Sequence, residues 1–172
     1  GNFAIYRVFG GSNQTDYLPR TGKEATVHVY QCKENTIYQV FGGSDAANIG
    51  SSTNNINANV IIDGGRMHQV FGGCNGIDAD HAANIYGTAT TKIDGGLIDE
   101  LFGGSNNYGN INGINLIVSD NPVCDLIIGN GYGGGNAGDT SGNTKVTVHA
   151  GDLNSVYGGA RQANVDGHAF VN

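Results

Sequence analysis

The segment VFGGSD at residues 40–45 decides the fold, because the chain repeats its aromatic-Gly-Gly triplet six times. The triplets begin at Phe9, Phe41, Phe71, Phe102, Tyr132 and Tyr157. Successive aromatic residues are 32, 30, 31, 30 and 25 residues apart. A period of this length is typical of solenoids and related architectures, in which each repeat contacts only its neighbours.

Alignment on the aromatic residue produces further columns of similar residues. The column four residues earlier is apolar throughout and contains Ile5, Ile37, Met67, Ile98, Ile128 and Leu153. The column one residue earlier contains Val8, Val40, Val70, Leu101, Gly131 and Val156. Small residues follow at the third position after the aromatic, and Asn or Asp follows at the fourth, except at Arg161. We expect the apolar columns to stack inward as a core and the Asn column to lie at a corner, with its amides hydrogen-bonded along the axis.

Each period also contains short runs of β-type sequence. Alternating β-branched residues occur at 26–29, 59–62, 91–93, 115–118 and 145–148, and this period of two is typical of strands. Shorter runs, such as 47–49, 83–85 and 110–111, add a further candidate strand. Two or three strands in roughly 30 residues favour a parallel β-solenoid over a β-propeller, whose blades need about 40 residues.

We therefore predict an all-β chain that folds as a right-handed parallel β-helix of about five to six coils of roughly 30 residues. The whole of residues 1–172 is expected to form a single domain, and the handedness follows from precedent among such folds. The 30 glycines suit tight corners, where positive φ is tolerated. A calcium-binding roll is disfavoured, because its nine-residue period is missing from the sequence.

Net charge and cysteine content disfavour several classes of partner and of site. The net charge of −7 disfavours nucleic acids and anionic membranes as partners, since both require a basic surface. The sequence contains no run of 18 apolar residues, and it therefore predicts no membrane-spanning helix. Cys32, Cys74 and Cys124 have no CxxC spacing, so we expect neither a zinc site nor a dense disulfide framework. We interpret the three thiols as small buried apolar side chains.

The recurring pattern V-[FY]-G-G-[SGC]-N, followed by A-N-I, a β-run and a Gly-Gly corner, resembles glycine-rich repeats of bacterial secreted and cell-surface proteins. These repeats are described as adhesin-like parallel β-helix segments, and the resemblance covers residues 5 to about 167. It implies a non-catalytic structural or adhesive segment of a longer protein, secreted or on the cell surface. The implied partner is a glycan or a host or cell-surface protein. The fit is broken by an insertion at 77–81, by Gly131 and by the short last period.

An enzyme must also be considered, because parallel β-helices include polysaccharide lyases and glycoside hydrolases, whose sites cluster acidic residues. Asp63 and Asp94 begin equivalent Asp-Gly-Gly corners and would lie close enough to share a cation, although Asp also suits such turns. The insertion carries Asp78, Asp80 and His81, for which we favour a solvated loop because no further ligand is identifiable. We predict no catalytic residue, no bound metal and no cofactor, and a spacer role stays an alternative.

Two columns that differ between the repeats are better candidates for binding. They contain Tyr6, Tyr38, His68, Asp99, Gly129 and Asn154, and next to these Arg7, Gln39, Gln69, Glu100, Asn130 and Ser155. If these residues point outward, they form a polar-aromatic stripe that stacks on sugar rings or hydrogen-bonds a glycan. The candidate ligand-binding residues are Tyr38, His68, Gln69, Asp99 and Glu100. The regular aromatic column itself is interpreted as packing, and uncapped ends would favour end-to-end self-association.

Overall fold

The computed structural model describes residues 3–30, Cys32, residues 35–119 and residues 124–172, and this part of the chain contains strands and no helix. In chain order the strands are β1 (Ala4–Phe9), β2 (Ala25–Val29), β3 (Thr36–Phe41), β4 (Ala58–Ile62), β5 (Arg66–Phe71), β6 (Ile85–Ile93), β7 (Gly96–Phe102), β8 (Asn110–Val118), β9 (Leu126–Tyr132), β10 (Asp139–Thr140), β11 (Thr144–Val148), β12 (Asp152–Tyr157) and β13 (Ala169–Val171).

The strands form two parallel sheets that face each other. The first sheet has the order β1-β3-β5-β7-β9-β12, and the second has the order β2-β4-β6-β8-β11-β13, with β10 also paired to β8. Each coil contributes one strand to each sheet, and neighbouring coils pair in register, as in Ile37 with Met67 and Phe41 with Phe71. The prediction of an all-β parallel β-solenoid is confirmed.

The shorter predicted strands behave differently from one coil to the next. The runs at 83–85 and 110–111 are not separate strands, because they continue into β6 and β8. In the earlier coils the same side of the solenoid is held by isolated parallel bridges from Tyr17 to Ile49 and from Ile49 to Ile85. Each coil therefore has three sides, of which the third is built from very short pairings.

The two predicted apolar columns form the core between the sheets. Ile37, Met67, Ile98 and Ile128 are buried, and they cluster with Val40, Val70 and Leu101 and with apolar residues of the second sheet. A second cluster lies on the third side, around Ile49, Ile85 and Ile111. Burial of each such side chain contributes about 1.5–3 kcal/mol, so these columns supply much of the stabilisation of the stack.

The six aromatic residues of the triplets form an aromatic ladder along the axis. Successive ring centroids lie 4.7 to 5.0 Å apart, and the ring planes are within 10° of parallel. The inner members Phe41, Phe71 and Phe102 are fully buried. The interpretation of this column as packing is confirmed, because a buried ring stacked on both faces has no surface left for a ligand.

The triplet glycines are required by the closeness of neighbouring coils. A Cβ at Gly42 would collide with the carbonyl oxygen of Gly72, and a Cβ at Gly72 would collide with that of Gly103. These glycines do not adopt positive φ, so conformational freedom does not explain them. The expected left-handed backbone occurs instead at the Asp-Gly-Gly corners, where φ is 95° at Gly65 and 110° at Gly96.

The predicted corner amides are hydrogen-bonded along the axis, as expected. In this amide ladder Asn75 Nδ2 donates to Asp45 Oδ1 at 2.8 Å, and Asn106 Nδ2 donates to Asn75 Oδ1 at 3.0 Å. Asn136 continues it with a bond of 3.0 Å to Asn106. Because a carboxylate only accepts, Asp45 ends the ladder with a charge-assisted bond.

A second ladder was not foreseen and supports the third side. The backbone N–H and the Nδ2 of Asn84 both donate to Asn48 Oδ1, at 2.9 and 3.0 Å. Asn48 makes the same pair of bonds to Asp16 Oδ1, at 3.0 and 3.1 Å. The side-chain oxygen of the Asn in the recurring A-N-I run thus accepts from backbone N–H groups of the next coil that the short strand pairings on this side do not bind.

The interpretation of all three cysteines as free buried thiols is wrong, because Cys32 and Cys124 form a disulfide with their Cα atoms 5.3 Å apart. Cys32 lies in the connection between β2 and β3, and Cys124 lies in the connection between β8 and β9. These two connections are longer than the glycine corners of the two coils between them. Only Cys74 is both free and buried, as predicted, within the described residues.

One buried hydroxyl offers a direct test of the packing. Thr91 is fully buried in the inward column that holds Val60 and Leu116 in the adjacent strands, and its Oγ1 has no hydrogen-bond partner. We expect Thr91→Val to raise the free energy of unfolding by about 1 kcal/mol, because it removes an unsatisfied buried polar atom. Urea denaturation measures the change. Thr91→Ala is the control and should destabilise through a cavity; a Val variant no more stable than the parent would contradict the assignment.

The disulfide should stabilise the fold strongly, because it closes a loop of 92 residues. Loop-closure entropy of this size corresponds to about 4.6 kcal/mol, so Cys32→Ser should lower the melting temperature by about 10 °C. Calorimetry measures the difference. Cys74→Ser retains the disulfide and places at position 74 the residue that three of the other five repeats use, so it should melt close to the parent. Equal melting temperatures for the parent and Cys32→Ser would contradict a closed disulfide.

Candidate binding face

The first sheet places two consecutive side chains outward in each coil. In β3, Tyr38 is exposed and Gln39 is half-buried, whereas Ile37 and Val40 on either side are buried. The same pattern recurs in β5 and β7, where the outward pairs are His68–Gln69 and Asp99–Glu100. Stacking of these strands produces two parallel outward columns, which we call the lateral stripe.

The first column of the lateral stripe is a continuous stack of planar groups. The rings of Tyr6 and Tyr38 are 5.0 Å apart and nearly parallel, and the rings of Tyr38 and His68 are 4.7 Å apart and tilted by 44°. Nδ1 of His68 lies 2.7 Å from Oδ2 of Asp99. Arg66 holds the other side of the same carboxylate, with Nη2 3.1 Å from Oδ1. The structure therefore brings Tyr38, His68 and Asp99 together.

The second column is a chain of hydrogen-bonded amides. Nε2 of Gln39 donates to Oε1 of Gln69 at 2.7 Å, and Nε2 of Gln69 donates to Oε2 of Glu100 at 2.8 Å. Arg161, two coils further along, donates to Oε1 of Glu100 at 3.0 Å. Gln69 and Glu100 are thus fixed beside the first column.

Two residues of this face were missed in the sequence. Arg66 and Arg161 each bind one carboxylate of the lateral stripe. Arg161 carried a signal, because it is the position at which the Asn column breaks. Arg66 carried none, since its alignment column is irregular and its contact with Asp99 depends on the neighbouring coil.

The stacking limits how a sugar can bind. One face of the Tyr38 ring is covered by Tyr6 and the opposite face by His68, because β1 and β5 flank β3 in the sheet. A sugar ring therefore cannot lie flat on Tyr38. What Tyr38 presents to solvent is the edge of its ring, in a side chain that is 41% exposed. Hydrogen bonding is the part of the expected recognition that this geometry allows.

A cavity of about 430 Å³ adjoins the lateral stripe at the corner of the solenoid. Arg66 lines it together with Thr36, Leu97 and Asp125, and the disulfide forms another part of its wall. Since Arg66 also binds Asp99, the cavity and the stripe share a side chain. The disulfide thus shapes the surface next to the candidate face.

The aspartates of the glycine corners have partners of their own. Oδ2 of Asp63 lies 2.8 Å from Nε2 of His28, and Oδ2 of Asp94 lies 2.6 Å from Nζ of Lys92. Within the described residues, no three His, Cys, Asp or Glu side chains converge as a metal-binding set. The turn interpretation accounts for both corners without a shared cation.

The insertion at 77–81 is organised by its own side chains. Oδ1 of Asp78 accepts from the backbone N–H groups of Asp80 and His81 at 3.0 and 2.8 Å. The same oxygen lies 2.8 Å from Nδ1 of His81. The hydrogen bond from the His81 side chain, with those from the backbone, lowers the pKa of Asp78. The Asp78 carboxylate thus closes the loop.

The free cysteine is not suited to nucleophilic chemistry. Burial raises the pKa of the Cys74 thiol to about 12, so the thiol is protonated at neutral pH. Its sulfur accepts the backbone N–H of Ser44 at 3.3 Å, and its own N–H donates to Ser105 Oγ. These contacts are structural and join three successive coils.

Comparison with known proteins leaves the family open. No protein-family model matches the chain, no curated protein matches its sequence, and no solved structure matches its fold. In the described part of the chain no helix is long and apolar enough to cross a membrane.

The hydrogen bonds that close the loop at 77–81 predict that Asp78 titrates at a lowered pH. Because the Asp78 pKa is lowered, its contribution to stability is present above the ordinary carboxyl pKa and is lost as the pH falls through the lowered value. Carbon-detected NMR should place the Asp78 midpoint below the ordinary value of 3.8. His81→Ala removes the largest cause and should move the midpoint upward, whereas Asp80→Asn should barely affect it. An unchanged midpoint in His81→Ala would contradict this account.

Proposed function

We propose that this chain is a non-catalytic β-solenoid that presents the lateral stripe to a neutral glycan. The observation that carries the proposal is the pair of ordered columns through Tyr38 and Gln69, in which phenol, imidazole, amide and carboxylate groups follow one another along one outward face. Sugars are recognised by such planar polar groups, which donate to and accept from hydroxyls.

Preorganisation of the face favours binding. Gln69 is held by Gln39 and Glu100, and His68 is held between Tyr38 and Asp99. Side chains that are already ordered lose little rotamer freedom when a ligand arrives, which reduces the entropic cost of association. A polymer lying along the axis would contact several coils at once, so weak individual contacts would combine.

The charges of the face indicate a neutral ligand. Asp99 is paired with Arg66, and Glu100 is paired with Arg161, so the two carboxylates are balanced by two guanidinium groups. The chain as a whole carries a net charge of −7, which disfavours polyanionic glycans. A neutral polysaccharide or oligosaccharide is the ligand class that suits both facts.

A location outside the cytoplasm agrees with the disulfide. Cys32–Cys124 would be retained in an oxidising compartment, and disulfides are rare in proteins of the cytosol. Together with the resemblance of the repeat to adhesin-like segments, this supports a secreted or cell-surface bacterial protein. An adhesive role would then follow from a rigid face displayed to a cell-surface glycan or to a protein that carries one.

Binding to an array of neutral and acidic glycans tests the proposal. We expect the parent to bind neutral glycans and Tyr38→Ala/His68→Ala to weaken that binding at least tenfold, or by about 1.4 kcal/mol. Tyr38→Phe removes the hydroxyl and keeps the ring. It should lose affinity only if the hydroxyl contacts the sugar. A double variant of the opposite sheet, Thr90→Ala/Asn115→Ala, removes two outward side chains there and should bind like the parent.

Three outcomes would overturn the proposal. Equal glycan binding by the parent and Tyr38→Ala/His68→Ala would place the binding site elsewhere. Failure of the parent to bind any glycan would favour the spacer role. Release of reducing ends from a bound polysaccharide would instead favour a carbohydrate-active enzyme, for which the stripe offers only ion-paired carboxylates.

A further inference from the structure

The second sheet has a notch on its outer side, where one outward column lacks a side chain. In the column that runs through β6, β8 and β11, Thr88 and Asn143 flank Gly113. A cavity of about 330 Å³ lies at this position. Each of these three strands is paired along both edges, so the notch lies on the side of the solenoid and not at an end coil.

A β-bulge beside Gly113 shapes one wall of the notch. Between Ile85 and Thr88 the register shifts, because β6 has two residues where β8 has only Asn112. Nδ2 of Asn112 donates to the carbonyl oxygen of Tyr86 at 2.6 Å, which holds its side chain across the bulge. Bulges bend a strand and redirect its side chains, so the notch is built by the backbone as well as by the missing side chain.

The polar groups that line the notch are left without partners in the protein. The hydroxyl of Thr88, the side-chain amide of Asn115 and the ammonium group of Lys145 form no hydrogen bond or ion pair within the described residues. Oδ1 of Asn143 accepts the backbone N–H of His168 at 2.8 Å, which leaves its Nδ2 as a donor. The polar side chains of the lateral stripe, by contrast, bind one another.

The notch carries an unbalanced positive charge. Arg66, Lys92 and Arg161 each pair with a carboxylate, whereas Lys145 pairs with none in the part of the chain that the structure describes. None of the described residues that line the cavity is Asp or Glu. In a chain whose net charge is −7, this is a place where an anionic group meets a cation and no carboxylate.

The neutral groups of the notch indicate a ligand with several hydroxyls. The amides of Asn115 and Asn143 and the hydroxyl of Thr88 donate and accept, as sugar hydroxyls require. Gly113 provides a floor without a side chain, and the ring of Phe170 adds an apolar rim. The volume is near the lower end of the range of small-molecule pockets, about 300–1,000 Å³, so it suits one sugar ring.

We propose that the notch is a second binding site, separate from the lateral stripe, and that it takes one acidic sugar unit, a pyranose that bears a carboxylate. Lys145 pairs with the carboxylate. Asn115 lies opposite Lys145 in the adjacent strand, and its amide bonds a hydroxyl of the same ring. The net charge of −7 disfavours a polyanionic chain but not a single anionic unit in a neutral glycan. The inference does not depend on what the stripe binds.

Nuclear magnetic resonance titration with small sugars tests the proposal. The probes are glucuronate and galacturonate, their neutral counterparts glucose and galactose, and acetate. We expect at least one acidic sugar to shift the side-chain amide signals of Asn115 and Asn143 in a saturable way. The neutral sugars lack the carboxylate and acetate lacks the ring, so each should bind at least tenfold more weakly.

Three results of this titration would overturn the proposal. The first is the absence of a saturable shift with either acidic sugar. The second is acetate binding as tightly as the acidic sugars, which would mean a simple anion site. The third is equal binding of the neutral sugars, which would mean that Lys145 does not read the carboxylate.

Gly113→Val separates binding from folding. A Cβ at Gly113 has only ordinary contacts, 3.8 Å from Oγ1 of Thr88 and 3.9 Å from the carbonyl oxygen of Asn143, and a β-branched residue suits a strand. The variant should therefore melt no lower than the parent. Its side chain fills the notch and should weaken binding of the acidic sugar at least tenfold. A folded Gly113→Val that binds as the parent does would contradict the location of the site.

A charge variant tests the cation directly. Lys145→Gln should weaken binding of the acidic sugar at least tenfold, whereas Lys145→Arg keeps the charge and should lose less. Lys92→Gln is the matched control, because Lys92 is also exposed on the second sheet but is paired with Asp94, and it should bind like the parent. Unchanged binding in Lys145→Gln would overturn the proposal. These variants leave the lateral stripe intact, so failure of the notch and failure of the stripe are distinguishable.

Discussion

The close stacking of one coil on the next is the constraint on which the rest of the structure depends. At the triplet, backbone meets backbone, and glycine is required because a Cβ at Gly42 or Gly72 would collide with the carbonyl of the next coil. This contact sets the register of the two sheets and with it the spacing of every column. The aromatic ladder follows from this register. Rings at equivalent positions of coils about 4.8 Å apart lie at the distance at which they stack.

The same register turns isolated polar residues into ladders. Amides repeat at equal intervals, so each donates to its neighbour, and a carboxylate stands where a ladder needs only an acceptor. Asp45 ends the corner ladder toward the amino-terminal side, whereas Glu100 ends the glutamine column toward the opposite side. Such chains of hydrogen bonds polarise one another, so the polar columns of the solenoid are ordered by their neighbours as its apolar columns are.

The contacts that order the lateral stripe also limit how it can bind the proposed glycan. Tyr38 contributes to the stability of the stack with the faces of its ring, and it therefore offers only its edge to a ligand. His68 and Gln69 are likewise ordered by neighbours before any ligand binds. A surface built in this way is better suited to hydrogen bonding along an extended polymer than to enclosing one sugar ring.

The sequence by itself determined the period, the inward columns and the corner amides, because each of these depends only on residues that recur at the same phase. Phe71, Met67 and Asn75 could be placed from the alignment alone. Only the tertiary structure decided what depends on contacts between different phases or distant coils. The pairing of Cys32 with Cys124 joins connections of the first and fourth coils, and the contact of Arg161 with Glu100 crosses two coils. The period of a repeat predicts which residues lie next to each other in adjacent coils. It carries no information about contacts that extend beyond the adjacent coil.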